Sequence, residues 1–592
     1  MNELTTDLLI VGGGGAGVMA ALHASEANPE LDITLVVKGL VAQSGCTRMV
    51  QGGYNAVIDP QDSFDLHFYD TVKGGEYINN QDLAWILVNE APKRITELEN
   101  RYGCFFDRYS ANGSRAEGVI HQKPFAGQTF DRTVHRGDLT GIEIMSRLKD
   151  QLLARDVRRL EEHRGLDLVL TSDHGDGSGA SAGREIAGAV LLNMRTGELV
   201  LARARAILIA TGGGATMYKI AAPSLEKSGD GVAMAWRAGA RLMDMEMMQF
   251  HPTGLLAGRS RLTGSVLEEG LRGAGGHLKN GLGERYMWRY APERQERSTR
   301  DVVSRSSFME IAAGRGSAND GVFIDVSHLG AREVERMFPG MVERCRSVGF
   351  DLATEPVEVS PTAHFHMGGI AIDTECRSSL TGLYAAGEDA AGVHGANRLG
   401  GNGVAESIVF GARAGDVIAA DLKDRGLPDV DSGRIAQIER ETMSFLERER
   451  GEDAYALRQR LGELTWTQVG LVRDGAGLTA ALSELDEMYA KSGEVAVNPG
   501  RALNLEWNAA LDVRNLIEVA RLIACAALRR DESRGSHYRA DAATKDDARW
   551  LQNIVLSRRS DGSIAEETRD VALSRLQPGE RPAVPTEAVV AG

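Results

Sequence analysis

Residues 6–17, TDLLIVGGGGAG, decide the fold. The run from 6 to 11 reads as a fully buried strand. Gly12, Gly14 and Gly17 give the spacing G-x-G-x-x-G, and an amphipathic helical run follows to about Glu26. A second apolar strand, Ile33–Val37, closes the unit. Strand, glycine turn, helix and strand in this order bind a dinucleotide. Gly12 permits the tight turn, Gly14 lets backbone approach a pyrophosphate, and Gly17 lets the helix pack on the sheet. The helix N-terminus then faces phosphate charge. The acidic residue that usually ends the second strand and holds a ribose is missing. Val37-Lys38 stands there, which argues against a standard NAD site.

Further along, Ala206–Ala210 runs into Thr211-Gly212-Gly213-Gly214, and Gly382–Ala386 runs into Gly387-Glu388. Strands ending in glycine at three distant places imply one nucleotide-binding domain assembled from separated segments. The expected fold is α/β. Residues 1–235 and 356–425 form the Rossmann-like domain, and 236–355 form an inserted α+β domain. Residues 426–540 form a helical domain, and 541–592 a C-terminal region. Ser172–Gly183 reads as a surface loop, and the tail after Gln577 as loosely ordered.

The chain has 592 residues, 43% hydrophobic and 25% charged, as expected of a soluble globular protein. A net charge of −16 disfavours nucleic acid or an anionic membrane as partner. The 69 glycines cluster in motifs, which suggests backbone packed against a ligand. Five cysteines, without a C-x-x-C pair, give no iron–sulfur or zinc motif and fit a reducing compartment. No metal is expected. The opening residues lack a basic stretch before an apolar one, so no secretory signal is expected. No run of 18 apolar residues occurs, so membrane attachment is expected only through a partner.

Blocks spread along nearly the whole chain resemble the flavoprotein subunits of succinate dehydrogenase and fumarate reductase, a family that includes L-aspartate oxidase. They include SGCTRMVQGG (44–53), SGDGVAMAWRAGA (228–240), MEMMQFHPTG (245–254), EEGLRGAGG (268–276), TRDVVSRS (299–306), SPTAHFHMGGI (360–370), GEDAAGVHGANRLGGNGVAE (387–406) and RDESRGSHYR (530–539). The resemblance implies FAD as cofactor and a mobile capping domain over the isoalloxazine. It also implies a cytoplasmic protein that reaches the inner face of the membrane through partners. The implied FAD contacts are Gly12, Gly14, Ala16, Gly17, Lys38, Ser44, Cys46, Thr47, Gly52, Gly53, Asp230, Glu388 and Val404. Asp230 and Glu388 would accept hydrogen bonds from sugar or ribityl hydroxyls.

Interconverting fumarate and succinate needs hydride exchange at flavin N5, a clamp on two carboxylates and a proton donor. By resemblance, His251 and His364 bind carboxylate and Arg398 supplies a bidentate clamp. Arg300 transfers the proton, and Glu269 and Arg272 feed it. An i, i+3 spacing puts that last pair on one face if the segment is helical. Phe125 and Gln128, in KPFAGQ, line the substrate side.

Two positions depart from the family. Where the respiratory enzymes carry a flavin-linked histidine stands Cys46, so the histidyl bond cannot form. Noncovalent FAD is expected, with a cysteinyl thioether as the alternative. Second, Glu268 replaces the threonine that helps hold one substrate carboxylate. At about 4 Å and an effective dielectric of about 20, its repulsion of a carboxylate is roughly 4 kcal/mol. Either Glu268 redirects the pocket to another substrate, or a longer Leu255–Leu267 segment turns it outward, exposed.

The expected activity is oxidoreduction at the CH–CH bond of a small carboxylic acid, fumarate or succinate. Electrons would pass to a separate iron–sulfur subunit. The alternatives are an amino-acid oxidase like L-aspartate oxidase, and a flavin-binding subunit kept for assembly.

Overall fold

A computed structural model describes residues 1–109, 118–172 and 185–582. The loop expected at Ser172–Gly183 lies outside them except for Ser172, as does the tail from residue 583. The opening strand runs from Asn2 to Val11. It starts earlier than expected because residues 2–6 continue a parallel ladder with residues 200–204. The main sheet places Arg158–Glu161, Ile33–Val37, Asn2–Val11 and Leu199–Ile209 side by side, then Ile186–Asn193 and His163–Leu170. Leu383–Ala385 pairs in parallel with the C-terminal half of Leu199–Ile209, and Ile186–Asn193 pairs antiparallel with its N-terminal half. The strands that end at Val11, Ile209 and Ala385 therefore finish at one edge. Parallel sheets place their ligands there.

The helix Gly15–Ala27 differs from the amphipathic expectation. Every residue from Gly15 to Ala24 is buried. The sheet covers one side and the helix Asn402–Asp421 the other. At its start, a Cβ on Gly17 would lie 1.9 Å from the Gly12 carbonyl oxygen, so the turn and the helix touch backbone to backbone.

The inserted layer is an antiparallel sheet of Met248–Leu255, Val357–His366, Val322–Asp325 and His277–Lys279. It has its own apolar core, including Leu271, Val303, Val334 and Val342. This layer spans 248–366, where 236–355 was expected. Trp236 and Leu242 pack in the core of the main domain instead. Residues 357–366 complete the layer because they pair with Met248–Leu255 on one side and with Val322–Asp325 on the other.

Four helices follow: Ser432–Glu447, Ala454–Gln468, Gly475–Ser492 and Leu505–Arg529. Each begins after an Asp or Asn whose side chain accepts a first-turn N–H, as helix starts favour. The C-terminal region then forms a hairpin, Gln552–Arg558 with Ile564–Asp570, whose first strand pairs with Leu242–Met243. Among the described residues no helix is long and apolar enough to cross a membrane.

Candidate active site

A cavity of about 620 Å³ opens where the strands end, between the main sheet and the inserted layer. Gly12, Gly14, Ala16, Lys38, Ser44, Cys46, Thr47, Gly52, Gly53, Asp230, Glu388 and Val404 all line it. Gly17 does not, since its place is the helix contact with Gly12. The first turn of Gly15–Ala27 carries no acidic side chain, so its positive end is free for an anion. Only the Thr47 hydroxyl, at 3.5 Å, comes near a Cβ built on Gly14, so a side chain there would stand in the cavity. These features fit a dinucleotide.

Asp230 departs from the role of a free acceptor. Its Oδ2 accepts from Lys38 Nζ at 2.8 Å. Its Oδ1 accepts from Arg164 at 2.9 Å, Asn515 at 2.6 Å and Ser228 at 3.0 Å. Burial alone would raise its pKa, but Lys38 and Arg164 overcome that and hold it ionised. Asp230 thus fixes Lys38, which also meets Asp512 at 2.8 Å. Glu388 pairs with Lys227 and accepts the His366 N–H at 2.9 Å. Burial pushes the Cys46 thiol pKa up, more than nearby Lys227 lowers it. That keeps the sulfur protonated and a poor nucleophile.

The other end of the cavity is lined by Phe125, His251, Glu268, Glu269, Arg300, His364 and Arg398. Neighbouring strands carry His251 and His364, with ring centroids 5.4 Å apart. His251 Nδ1 accepts the Thr253 N–H at 3.3 Å, which puts the proton of the neutral ring on Nε2. That Nε2 is buried with no partner among the described residues, a donor awaiting an acceptor. Burial, followed by Arg300 and His364, drives the His251 pKa far down. Burial and Arg398 do the same to His364. Both rings are therefore neutral.

Arg300 Nε and Nη2 donate to Glu269 Oε2 at 2.8 and 2.6 Å. Glu269 Oε1 lies 3.4 Å from Arg272 Nη2, the i, i+3 pair expected of a helix. The helix itself, Gly270–Gly273, is one turn long and starts just after Glu269. Burial would raise the Glu269 pKa, but Arg300 and Arg272 outweigh it and keep it a carboxylate. Arg272 does not line the cavity. It stands behind, donating to the carbonyls of Glu296 at 2.6 Å and Ser298 at 3.3 Å. Burial, then Arg300, lowers the pKa of Arg398, whose guanidinium lies 4.4 Å from the Phe365 ring. Phe125 fills the space over Gly52, where a Cβ would meet its ring at 2.2 Å. Gln128 lies outside the lining and donates to the Gly400 carbonyl at 3.1 Å, bracing the loop that carries Arg398.

Glu268 is neither exposed nor a lone charge. It is 2% exposed and lines the cavity, and Lys123 pairs with its Oε1. Of the two readings of Glu268, the outward turn fails because the excursion after Leu255 closes on itself. Leu255 N–H donates to Ser265 O at 2.9 Å and Leu267 N–H to Thr253 O at 2.8 Å, which returns the chain inward.

Sequence reasoning missed Lys123, Lys227 and Gln249. Gln249 Oε1 accepts from both Arg300 Nη1 and Arg398 Nη2, each at 3.1 Å. Strand alternation puts Gln249 on the face of His251, a signal that was available. Lys123 stands 145 residues from its partner Glu268, and no local pattern joins them.

A dinucleotide cradle that shares one cavity with buried arginines and neutral histidines defines an oxidoreductase for a small anion. The family described as "FAD binding domain" matches residues 7–404, and that described as "Fumarate reductase flavoprotein C-term" matches 458–583. One of the subunits of the fumarate reductase (CoM/CoB) of Methanothermobacter marburgensis is 41% identical over 93% of this chain and 97% of its own length. A solved E. coli quinol fumarate reductase chain superposes with a TM-score of 0.89 at 32% identity, covering 98% of this chain and 99% of that one. Mycobacterium smegmatis Sdh1 gives 0.84 at 35% identity, covering 97% and 95%. The chain belongs to the fumarate reductase and succinate dehydrogenase flavoprotein family. Its cofactor is FAD, as expected from the sequence.

Proposed function

We propose that this chain is the component of a fumarate reductase at which fumarate and succinate interconvert. One observation carries the reading: Arg300 and Arg398, both bonded to Gln249 Oε1, line the cavity of the dinucleotide cradle together with His251, whose Nε2 has no partner among the described residues. Bound FAD supplies hydride exchange at N5. Arg398 and His364 bind one carboxylate. His251 donates its Nε2 proton toward the other and polarises the alkene. Arg300 gives a proton to the carbon that does not receive hydride. Glu269 Oε2, already bonded to Arg300 Nε and Nη2, provides the return path, with Arg272 behind it. This contact answers the difficulty of an arginine acid, because guanidinium holds its proton strongly unless one is returned at once. Lys38 and the first turn of Gly15–Ala27 hold the adenosine diphosphate end.

FAD is held noncovalently, which the protonated, poorly nucleophilic Cys46 supports. Electrons reach the flavin from an iron–sulfur partner subunit. In support, the five cysteines are free thiols, and among the described residues no group of His, Cys, Asp or Glu could hold a metal. Any membrane association runs through such partners. Names of the relatives favour fumarate reduction over amino-acid oxidation.

The test is anaerobic. The flavoprotein is bleached with dithionite, fumarate is added, and flavin absorbance is followed near 450 nm. Rapid reoxidation is expected, lost by about 10²-fold or more in Arg300→Met. Reoxidation by oxygen and not by fumarate would defeat the proposal. The same preparation, denatured, is expected to release its flavin from the polypeptide.

A further inference from the structure

The reaction proposed above leaves one buried group of the cavity unused. Glu268 Oε1 is taken by Lys123, but Oε2 has no partner among the described residues. The carboxylate lines the cavity beside Glu269, at the end where His251 and Arg300 also face inward. Its backbone N–H meets the Met341 sulfur at 3.5 Å, which fixes it against the helix Pro339–Arg346. The charged groups around it are Lys123, Asp138, Glu269 on the adjoining residue, and Arg344 of that helix, which also lines the cavity. Arg344 is turned to the Val266 carbonyl at 2.8 Å. Lys123 is therefore the cation that compensates Glu268.

A buried acceptor without a donor is costly, and a ligand that brings a donor removes the cost. Fumarate brings only acceptors. A carboxylate oxygen of the ligand and Glu268 Oε2 can share the space only with a proton between them, as paired carboxylates do. Burial already favours the protonated form of Glu268, and Lys123 offsets this only in part.

We propose that a dicarboxylate enters this site together with one proton, held between Glu268 Oε2 and the ligand carboxylate, with Lys123 balancing the charge behind it. This deepens the fumarate reading and rests on it. It makes Glu268 and Lys123 a specificity pair. Dicarboxylate affinity falls as pH rises, whereas a ligand with a neutral N–H donor in place of the second carboxylate satisfies Glu268 Oε2 without the proton. His251 and His364 are neutral in the open site, held so by burial and by the arginines around them, and the Glu268→Gln variant separates any proton they take up from the one at Glu268.

The experiment is calorimetric titration of the oxidised holoenzyme, which cannot reduce its ligand, in buffers of differing ionisation enthalpy. Fumarate is compared with its monoamide, in which a neutral amide with an N–H donor replaces one carboxylate. At about pH 8, close to one proton taken up per fumarate and none per monoamide is expected, with fumarate affinity falling by up to about tenfold per pH unit. Glu268→Gln keeps a donor and cannot titrate, so its fumarate affinity is expected to be flat with pH. The pair Lys123→Gln with Glu268→Gln gives the same flat profile without burying a lone ammonium. Fumarate binding without proton uptake, or with uptake unchanged in both variants, would overturn the proposal. If the FAD-loaded protein binds no fumarate at any pH, the function proposed above fails, and this inference with it.

Discussion

Gln249 is the residue on which the two arginines depend. It is fully buried, and its amide N–H groups are fixed by Asn397 Oδ1 at 2.8 Å and the Arg398 carbonyl at 2.7 Å. One amide oxygen thus sets the direction of two guanidiniums that would otherwise repel each other. Replacing it with Leu frees both, and a misplacement of about 1 Å can cost about 10²-fold in rate. Gln249→Leu is expected to lower kcat for fumarate by about 10- to 100-fold. FAD content, read from the ratio of flavin to protein absorbance, is expected to stay unchanged. A variant with wild-type kcat would remove Gln249 from the machinery. At this scale the sequence was legible where a motif holds the residue, as with His251, Arg300 and Arg398, which all line one cavity. It was not legible where a partner is remote. Glu268 looked like a repulsive charge because Lys123, which pairs with it, sits in a distant segment read only for Phe125 and Gln128.

The cradle rests on one helix crossing. A Cβ on Gly411 would approach the Ala16 carbonyl oxygen to 2.5 Å, and one on Gly415 would approach that of Ala20 to the same distance. Glycines on Asn402–Asp421 therefore let the backbone of Gly15–Ala27 come close, and that helix presents its first turn to the cavity. Gly411→Ala must push the two apart, an overpacking cost of about 1–3 kcal/mol. FAD affinity, measured by flavin fluorescence on dilution, is expected to weaken about tenfold, with a lower Tm. Gly426→Ala, where a Cβ meets nothing within 4 Å, is the control and is expected to match wild type. Equal FAD affinity in all three proteins would detach the crossing from the cradle. The opening strand, turn and helix were legible because strand period and glycine spacing are local. The second cover on that helix was not, because it comes from a segment nearly 400 positions away and makes an apparently one-sided helix buried all round. The C-terminal hairpin escaped for the same reason: its pairing strand, Leu242–Met243, is only two residues long.

Across the whole molecule, the proposed clamp is shared between two layers and held from a third. His251, Glu269, Arg300 and His364 belong to the inserted layer, and Arg398 to the main domain. The segment that follows the helix Leu505–Arg529 reaches Arg398 through the turn Arg534–His537, closed by an Arg534 N–H to His537 O bond of 2.8 Å. Ser536 donates both its N–H and its hydroxyl to the Ala396 carbonyl, each at 2.9 Å, two residues before Arg398. The turn is held by buried ion pairs: Arg530 with Glu246 at 2.7 Å and with Glu532 at 3.1 Å, and Arg534 with Glu532 at 2.7 Å. The resemblance of RDESRGSHYR to the family was visible in the sequence, but its mechanical purpose was not, because Ala396 is 140 residues away. Gly535 sits at φ +53°, and a Cβ there would come within 2.6 Å of the Ala396 oxygen. Gly535→Ala must therefore displace the strap 396–398. The strap carries Arg398 and, through Asn397, the anchor of Gln249, so the displacement reaches the carboxylate clamp and leaves the cradle intact. The expected result is a KM for fumarate raised about tenfold with unchanged FAD content. Because Arg300 donates two hydrogen bonds to Glu269 in the other layer and only one to Gln249, kcat is expected to fall less than KM rises. An unchanged KM in a folded, FAD-loaded variant would show that the C-terminal turn does not position the clamp.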